Sequence, residues 1–106
     1  MAVVRARIPE TARRGEVISI RALIQHPMET GFRRDEEGKE IPRRIIHEFI
    51  CRYNGDVAFR AEFFPAISAD PFIVFSVRAD SSGEIALSWK DDSGEITTEA
   101  RQIVVT

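Results

Sequence analysis

The sequence holds one cysteine, Cys51, so an internal disulfide is excluded, and with it any fold stapled by a disulfide framework. Histidine is nearly as scarce, with His26 and His47 the two in 106 residues. Lysine occurs at Lys39 and Lys90 alone, so arginine supplies almost all the positive charge. Fifteen basic residues against 17 acidic ones leave a formal net charge of −2. No global basic field exists to gather nucleic acid. No run approaches the ~20 apolar residues that a membrane helix needs, so no membrane span is expected. The opening MAVVRARIPE has no apolar core followed by a small-residue cleavage site, so no signal peptide of its own is expected. By default this places the chain in the cytoplasm, unless it is exported with a signal-bearing partner.

These scarcities bear on chemistry. A metal site needs three or four ligands. Immunoglobulin-like iron enzymes that reduce superoxide use several histidines and a cysteine, and this chain falls short of that set. The acidic run Asp35-Glu36-Glu37 lacks the spacing of a calcium loop. There is no nucleophile elbow, phosphate-binding loop or dinucleotide fingerprint. His47 and Cys51 are four apart in a β-rich run, which puts them on one face but about 13 Å apart, too far for proton transfer. Arg52 points to the opposite face, so Cys51 gains no cation from its neighbour. Cys51 is expected to be a buried free thiol. No catalytic residue, metal or cofactor is expected.

What is present is a period of two. Val4, Ala6 and Ile8 alternate with Arg5 and Arg7 until Pro9. Ile18, Ile20, Ala22 and Ile24 share one face of a second run, which Pro27 ends. RIIHEFICRY and DVAFRAEFF flank Asn54-Gly55, the strongest short hairpin signal. A two-residue turn pairs Arg52 with Val57 and Ile50 with Phe59, with Val57, Phe59, Ala61 and Phe63 on one face; a bulge would shift the faces. PAISADP reads as a crossing loop. FIVFSV, EIALSWK and EITTEARQIVV complete the series, with turns at Ser81-Ser82-Gly83 and Asp91-Asp92-Ser93-Gly94. The fold expected is all-β: an immunoglobulin-like β-sandwich of about seven antiparallel strands, with residues 1–106 as one domain.

Residues 26–43 break the pattern with a long charged connection, and such segments carry function or mobility. Its basic pairs, Arg33-Arg34 and Arg43-Arg44, bracket Asp35, Glu36, Glu37 and Glu40, which favours salt-bridged loop ends over a phosphate groove. His26, Met28 and Phe32 have two readings that the sequence leaves open: they pack back onto their own domain, or they anchor a partner. His26, Met28, Glu29, Phe32, Arg33 and Arg34 are the candidate partner contacts. An unpaired strand edge would also let the isolated chain pair with a second copy. A generic immunoglobulin-like binding module and a Cys51-dependent redox protein are the alternative functions.

The same segment carries a resemblance. His26-Pro27-Met28-Glu29-Thr30-Gly31 leads into Gly38-Lys39, Ile41-Pro42-Arg43 and Ile45-Ile46. Phe49, Cys51, Tyr53-Asn54-Gly55, Pro65-Ala66-Ile67-Ser68-Ala69 and Pro71 follow. The pattern covers nearly the whole chain and resembles the Z-subunit family of the Sox thiosulfate-oxidising system. The resemblance implies a non-catalytic subunit of a sulfur-carrier complex, paired with a Y-type carrier subunit as a heterodimer or higher. In that family the carrier bears the sulfur substrate on the cysteine of a Gly-Gly-Cys-Gly-Gly arm, and other Sox enzymes act on it transiently in the periplasm. The carrier normally brings the twin-arginine export signal. This chain ends Gln102-Ile103-Val104-Val105-Thr106 without such an arm, which matches the Z role. The family transfers no catalytic residue onto this sequence.

Overall fold

The computed structural model describes residues 3–106, which form two sheets and no helix. The strands are β1 (Val4–Arg7), β2 (Thr11–Ala12), β3 (Val17–Ile24), β4 (Ile46–Tyr53), β5 (Asp56–Glu62), β6 (Phe72–Arg78), β7 (Gly83–Asp91) and β8 (Ile96–Val105). The smaller sheet runs β1-β3-β6 and the larger runs β2-β8-β7-β4-β5. The period of two has a direct physical outcome. Ile18, Ile20, Ala22 and Ile24 turn inward from β3, and meet Phe49, Cys51, Ile85, Leu87, Trp89 and Ile103 from the other sheet. Each large side chain so buried stabilises the fold by roughly 1.5–3 kcal/mol relative to exposure. Phe59 of β5 stacks on Phe75 of β6 at 4.5 Å between ring centroids, closing one side of the sandwich. Phe49 contacts Phe75 edge-on at 5.5 Å and Trp89 at 5.1 Å.

Three details depart from the simplest strand pattern. Pro9 ends β1, and the chain then crosses to the larger sheet as β2, which runs parallel to β8. Among the described residues the sandwich thus has eight strands, with one parallel pair among antiparallel ones. Next, the Asn54-Gly55 hairpin forms with both residues at positive φ (50° and 87°), as a tight two-residue turn demands. Tyr53 pairs with Asp56 and Arg52 with Val57, but Cys51 then pairs with Phe59. Ala58 is bulged out, so Ile50 faces Arg60 and not Phe59, and Val57 is turned to solvent. Finally, Ile46 and Phe49 are both buried although three apart. A bulge at His47 permits this: Ile46 pairs with Asp91 and Glu48 with Lys90. The same bulge removes His47 from the regular alternation that leads to Cys51.

Candidate functional site

The segment between β3 and β4 is not a structureless loop. It folds as a hairpin arm with a buried root and an exposed tip. At the root, Glu29 and Arg44 exchange backbone hydrogen bonds in both directions at 2.8 Å. Further out, the Ile41 amide donates to the Arg33 carbonyl and the Asp35 amide donates to the Lys39 carbonyl, each at 2.9 Å. The turn is closed by Asp35 Oδ1, which accepts from the amides of Glu37 and Lys39.

His26 organises the root. Its Nδ1 accepts a hydrogen bond from the Met28 amide at 2.9 Å. That bond requires an unprotonated Nδ1, which places the ring proton on Nε2, directed at Asp91 Oδ2 3.4 Å away. The tight turn puts Met28 at a positive φ of 52°, an uncommon conformation for a side chain of this size. Packing holds it there: Met28 is 3% exposed, and its sulfur accepts from the Ile46 amide at 3.3 Å. Three residues on, Gly31 has a φ of 86°, and an added Cβ would stand 3.0 Å from Arg43 Cβ. Glycine is required there by both the dihedral and the space.

Asp91 is the hub. It is 4% exposed, at the end of β7. Its Oδ1 accepts from the Ser93 amide (2.9 Å), the Ser93 hydroxyl (2.6 Å) and the Glu95 amide (3.1 Å). Its Oδ2 accepts from Arg44 Nε at 3.1 Å and faces His26. Burial opposes ionisation, but the hydrogen bonds from Ser93, Arg44 and His26 outweigh it and hold the carboxyl at about 2. Beside it Asp92 takes a two-pronged contact from Arg43 (2.8 and 3.0 Å) and accepts from the Ile45 amide at 3.1 Å. The Asp-Asp-Ser-Gly turn therefore clamps both strands of the arm's root. A pocket of about 150 Å³ opens here, lined among others by His26, Arg44, Asp91 and Glu95. Those polar groups already satisfy one another: Arg44 also reaches Glu95 at 2.9 Å.

Cys51 lies elsewhere, in the core at 0% exposure, and burial pushes its thiol up to about 11. Among the described residues no three His, Cys, Asp or Glu side chains gather as a metal site would require. The described residues contain no helix, so none is long and apolar enough to cross a membrane.

Residues 4–102 match the family described as "Sulphur oxidation protein SoxZ". The chain belongs to the SoxZ family. No protein of curated function matches the sequence significantly. Solved structures extend the likeness at the level of fold. Superoxide reductase (neelaredoxin) from Ignicoccus hospitalis aligns at 17% identity over 99% of this chain and 80% of its own, with a TM-score of 0.72. The sulfur carrier protein SoxY from Chlorobium limicola f. thiosulfatophilum aligns at 12% identity over 97% of this chain and 78% of its own, with a TM-score of 0.65. A putative superoxide reductase from Thermotoga maritima aligns at 17% identity over 99% and 85%, with a TM-score of 0.64.

The motif that carries the SoxZ resemblance, His26 to Gly31, is thus a structural latch. Of the six candidate contacts, His26 and Met28 are buried and Glu29 is half-buried, ion-paired with Arg33. Phe32 is 82% exposed, and Arg33 and Arg34 are exposed beside it. Both basic pairs are engaged by acids, but of the acids between them Glu40 alone takes part, with Arg34; Arg33 pairs with Glu29, Arg43 with Asp92 and Arg44 with Asp91 and Glu95. Asp91 escaped the sequence reading because an Asp-Asp-Ser-Gly stretch reads as an ordinary turn. Its one signal was position: two residues beyond the inward-facing Trp89, on the same strand face.

Proposed function

We propose that this SoxZ-family chain is the non-catalytic subunit of a sulfur-carrier heterodimer, a single-domain protein that stabilises a SoxY-type carrier. The carrier holds sulfur intermediates on its C-terminal cysteine, and the pair works in the periplasm, where other Sox enzymes reach it transiently. The observation that carries this reading is the family match over residues 4–102. The state of Cys51 supports it. A thiol near 11 is about one part in ten thousand thiolate at pH 7, and the thiolate is the nucleophile. This chain is poorly equipped to take up sulfur itself. Within the arm, Phe32, Arg33 and Arg34 make the contact, while His26, Met28 and Glu29 set the arm's shape.

The test is to purify the chain with a carrier subunit ending in Gly-Gly-Cys-Gly-Gly, load thiosulfate-derived sulfur, and weigh both polypeptides by mass spectrometry. A stable complex with the added mass on the carrier alone is expected. Sulfur on Cys51 would overturn the non-catalytic reading, and failure to form a complex would overturn the partnership.

A further inference from the structure

The two sheets expose very different outer faces. On the larger, acids and bases are interspersed: Arg60 contacts Glu48 at 2.6 Å and Glu62 at 3.7 Å, and Arg52 and Lys90 share that face with Glu48. The strands of the smaller sheet, VRAR, VISIRALI and FIVFSVR, contain four arginines and no acidic residue. Register sets two rows across their outer face. Arg5 lies opposite Leu23, and Leu23 opposite Phe72; Arg7 lies opposite Arg21, and Arg21 opposite Val74. Burial alternates along each strand, with Val4, Ala6, Ala22 and Ile24 packed inward, so these six side chains point out. Phe72 is 58% and Val74 52% exposed.

Arg7 against Arg21 is a cross-strand pair of like charges, an arrangement that destabilises a sheet. Among the described residues none of Arg5, Arg7 and Arg21 has an ion-pair partner, although the chain as a whole is acidic. The face is electrostatically incomplete on its own. A second copy of this chain packed face to face cannot complete it, since arginine would meet arginine. Nucleic acid fits poorly, because the residues between the arginines are Leu23, Val74 and a single aromatic, with no stacking platform. A protein surface with carboxylates around an apolar centre fits both the charge and the exposed Phe72–Val74 patch. The Leu23–Phe72 row also lies at the end of the sheet from which the arm departs after Ile24, so one partner can engage both.

We infer that this arginine-and-apolar face docks the carrier subunit through carboxylates on that partner. The inference rests on the heterodimer reading above and goes further by assigning the sheet. It is tested by calorimetric titration of the carrier with wild-type chain and with an Arg7→Glu/Arg21→Glu variant, at low and high salt. The expected result is a loss of about 30-fold or more in affinity for the variant, and wild-type binding that weakens with salt. The melting temperature of the isolated variant should change little, since the double replacement exchanges one cross-strand like-charge pair for another. If it falls, Arg7→Gln/Arg21→Gln replaces it, with the same direction expected. Wild-type binding with no loss in either variant overturns the docking assignment and leaves the heterodimer standing. Absence of wild-type binding removes both. A short labelled DNA duplex serves as a control by fluorescence anisotropy. Tight duplex binding that the variant abolishes, with carrier affinity unchanged, would reassign the face to nucleic acid.

Discussion

The root and the tip of the arm are neighbours in sequence and opposites in physics. At the root lie a buried histidine, a buried methionine at positive φ and, 65 residues from that histidine in sequence, a carboxylate that accepts five hydrogen bonds from four residues. At the tip, Phe32 stands in solvent among surface ion pairs. Surface ion pairs of that kind contribute little to stability, and an exposed phenylalanine contributes little more. The difference separates two meanings of a recognisable motif. The root residues specify the shape of the arm, and the tip residues are free to specify what it touches.

The sharpest way to break this division is Asp91→Ala. It leaves the donors of Ser93, Glu95, Arg44 and His26 without their acceptor, and should cost about 3–5 kcal/mol in a urea titration. A loss below 1 kcal/mol would show that the root is not the clamp described. The acid limb of stability comes next. Because the folded state holds Asp91 at about 2, below its ordinary 3.8, its contribution is present above about pH 4 and is lost as pH falls toward 2. Wild type should lose roughly 2 kcal/mol more than Asp91→Asn across that range. Equal declines would remove Asp91 as the source. Gly31→Ala should cost about 1–2 kcal/mol, because alanine resists the 86° φ and crowds Arg43. At the small end, Phe32→Ala should shift stability by less than about 0.5 kcal/mol. The same substitution should nevertheless weaken carrier binding, and unchanged affinity would take the tip out of the interface.

Much of the fold was legible in the residues, because alternation is a local signal. Ile18 to Ile24 and Ile85 to Trp89 face inward as their spacing predicts. Bulges are not local in that sense. Nothing in RIIHEFICRY marks His47 as the extra residue, and the face of Val57 depended on whether Ala58 was looped out of the ladder. The parallel pairing of β2 was hidden by its two-residue length. At the candidate site, the self-packing of Met28 and His26 turned on contacts 18 and 65 residues distant, those of Met28 with Ile46 and of His26 with Asp91. No periodicity reports such contacts. The arginine face escaped for a related reason: Arg5 and Arg7 are unremarkable until the register sets Arg7 against Arg21.

The setting of His26 has a consequence for coordination chemistry. A metal ion needs an in-plane lone pair on an imidazole nitrogen. Here the Nδ1 lone pair is committed to the Met28 amide, and the Nε2 position is capped by the proton directed at Asp91. The chain shares its fold with proteins named as superoxide reductases. Its most buried histidine nonetheless has no lone pair left to offer a metal unless the latch opens.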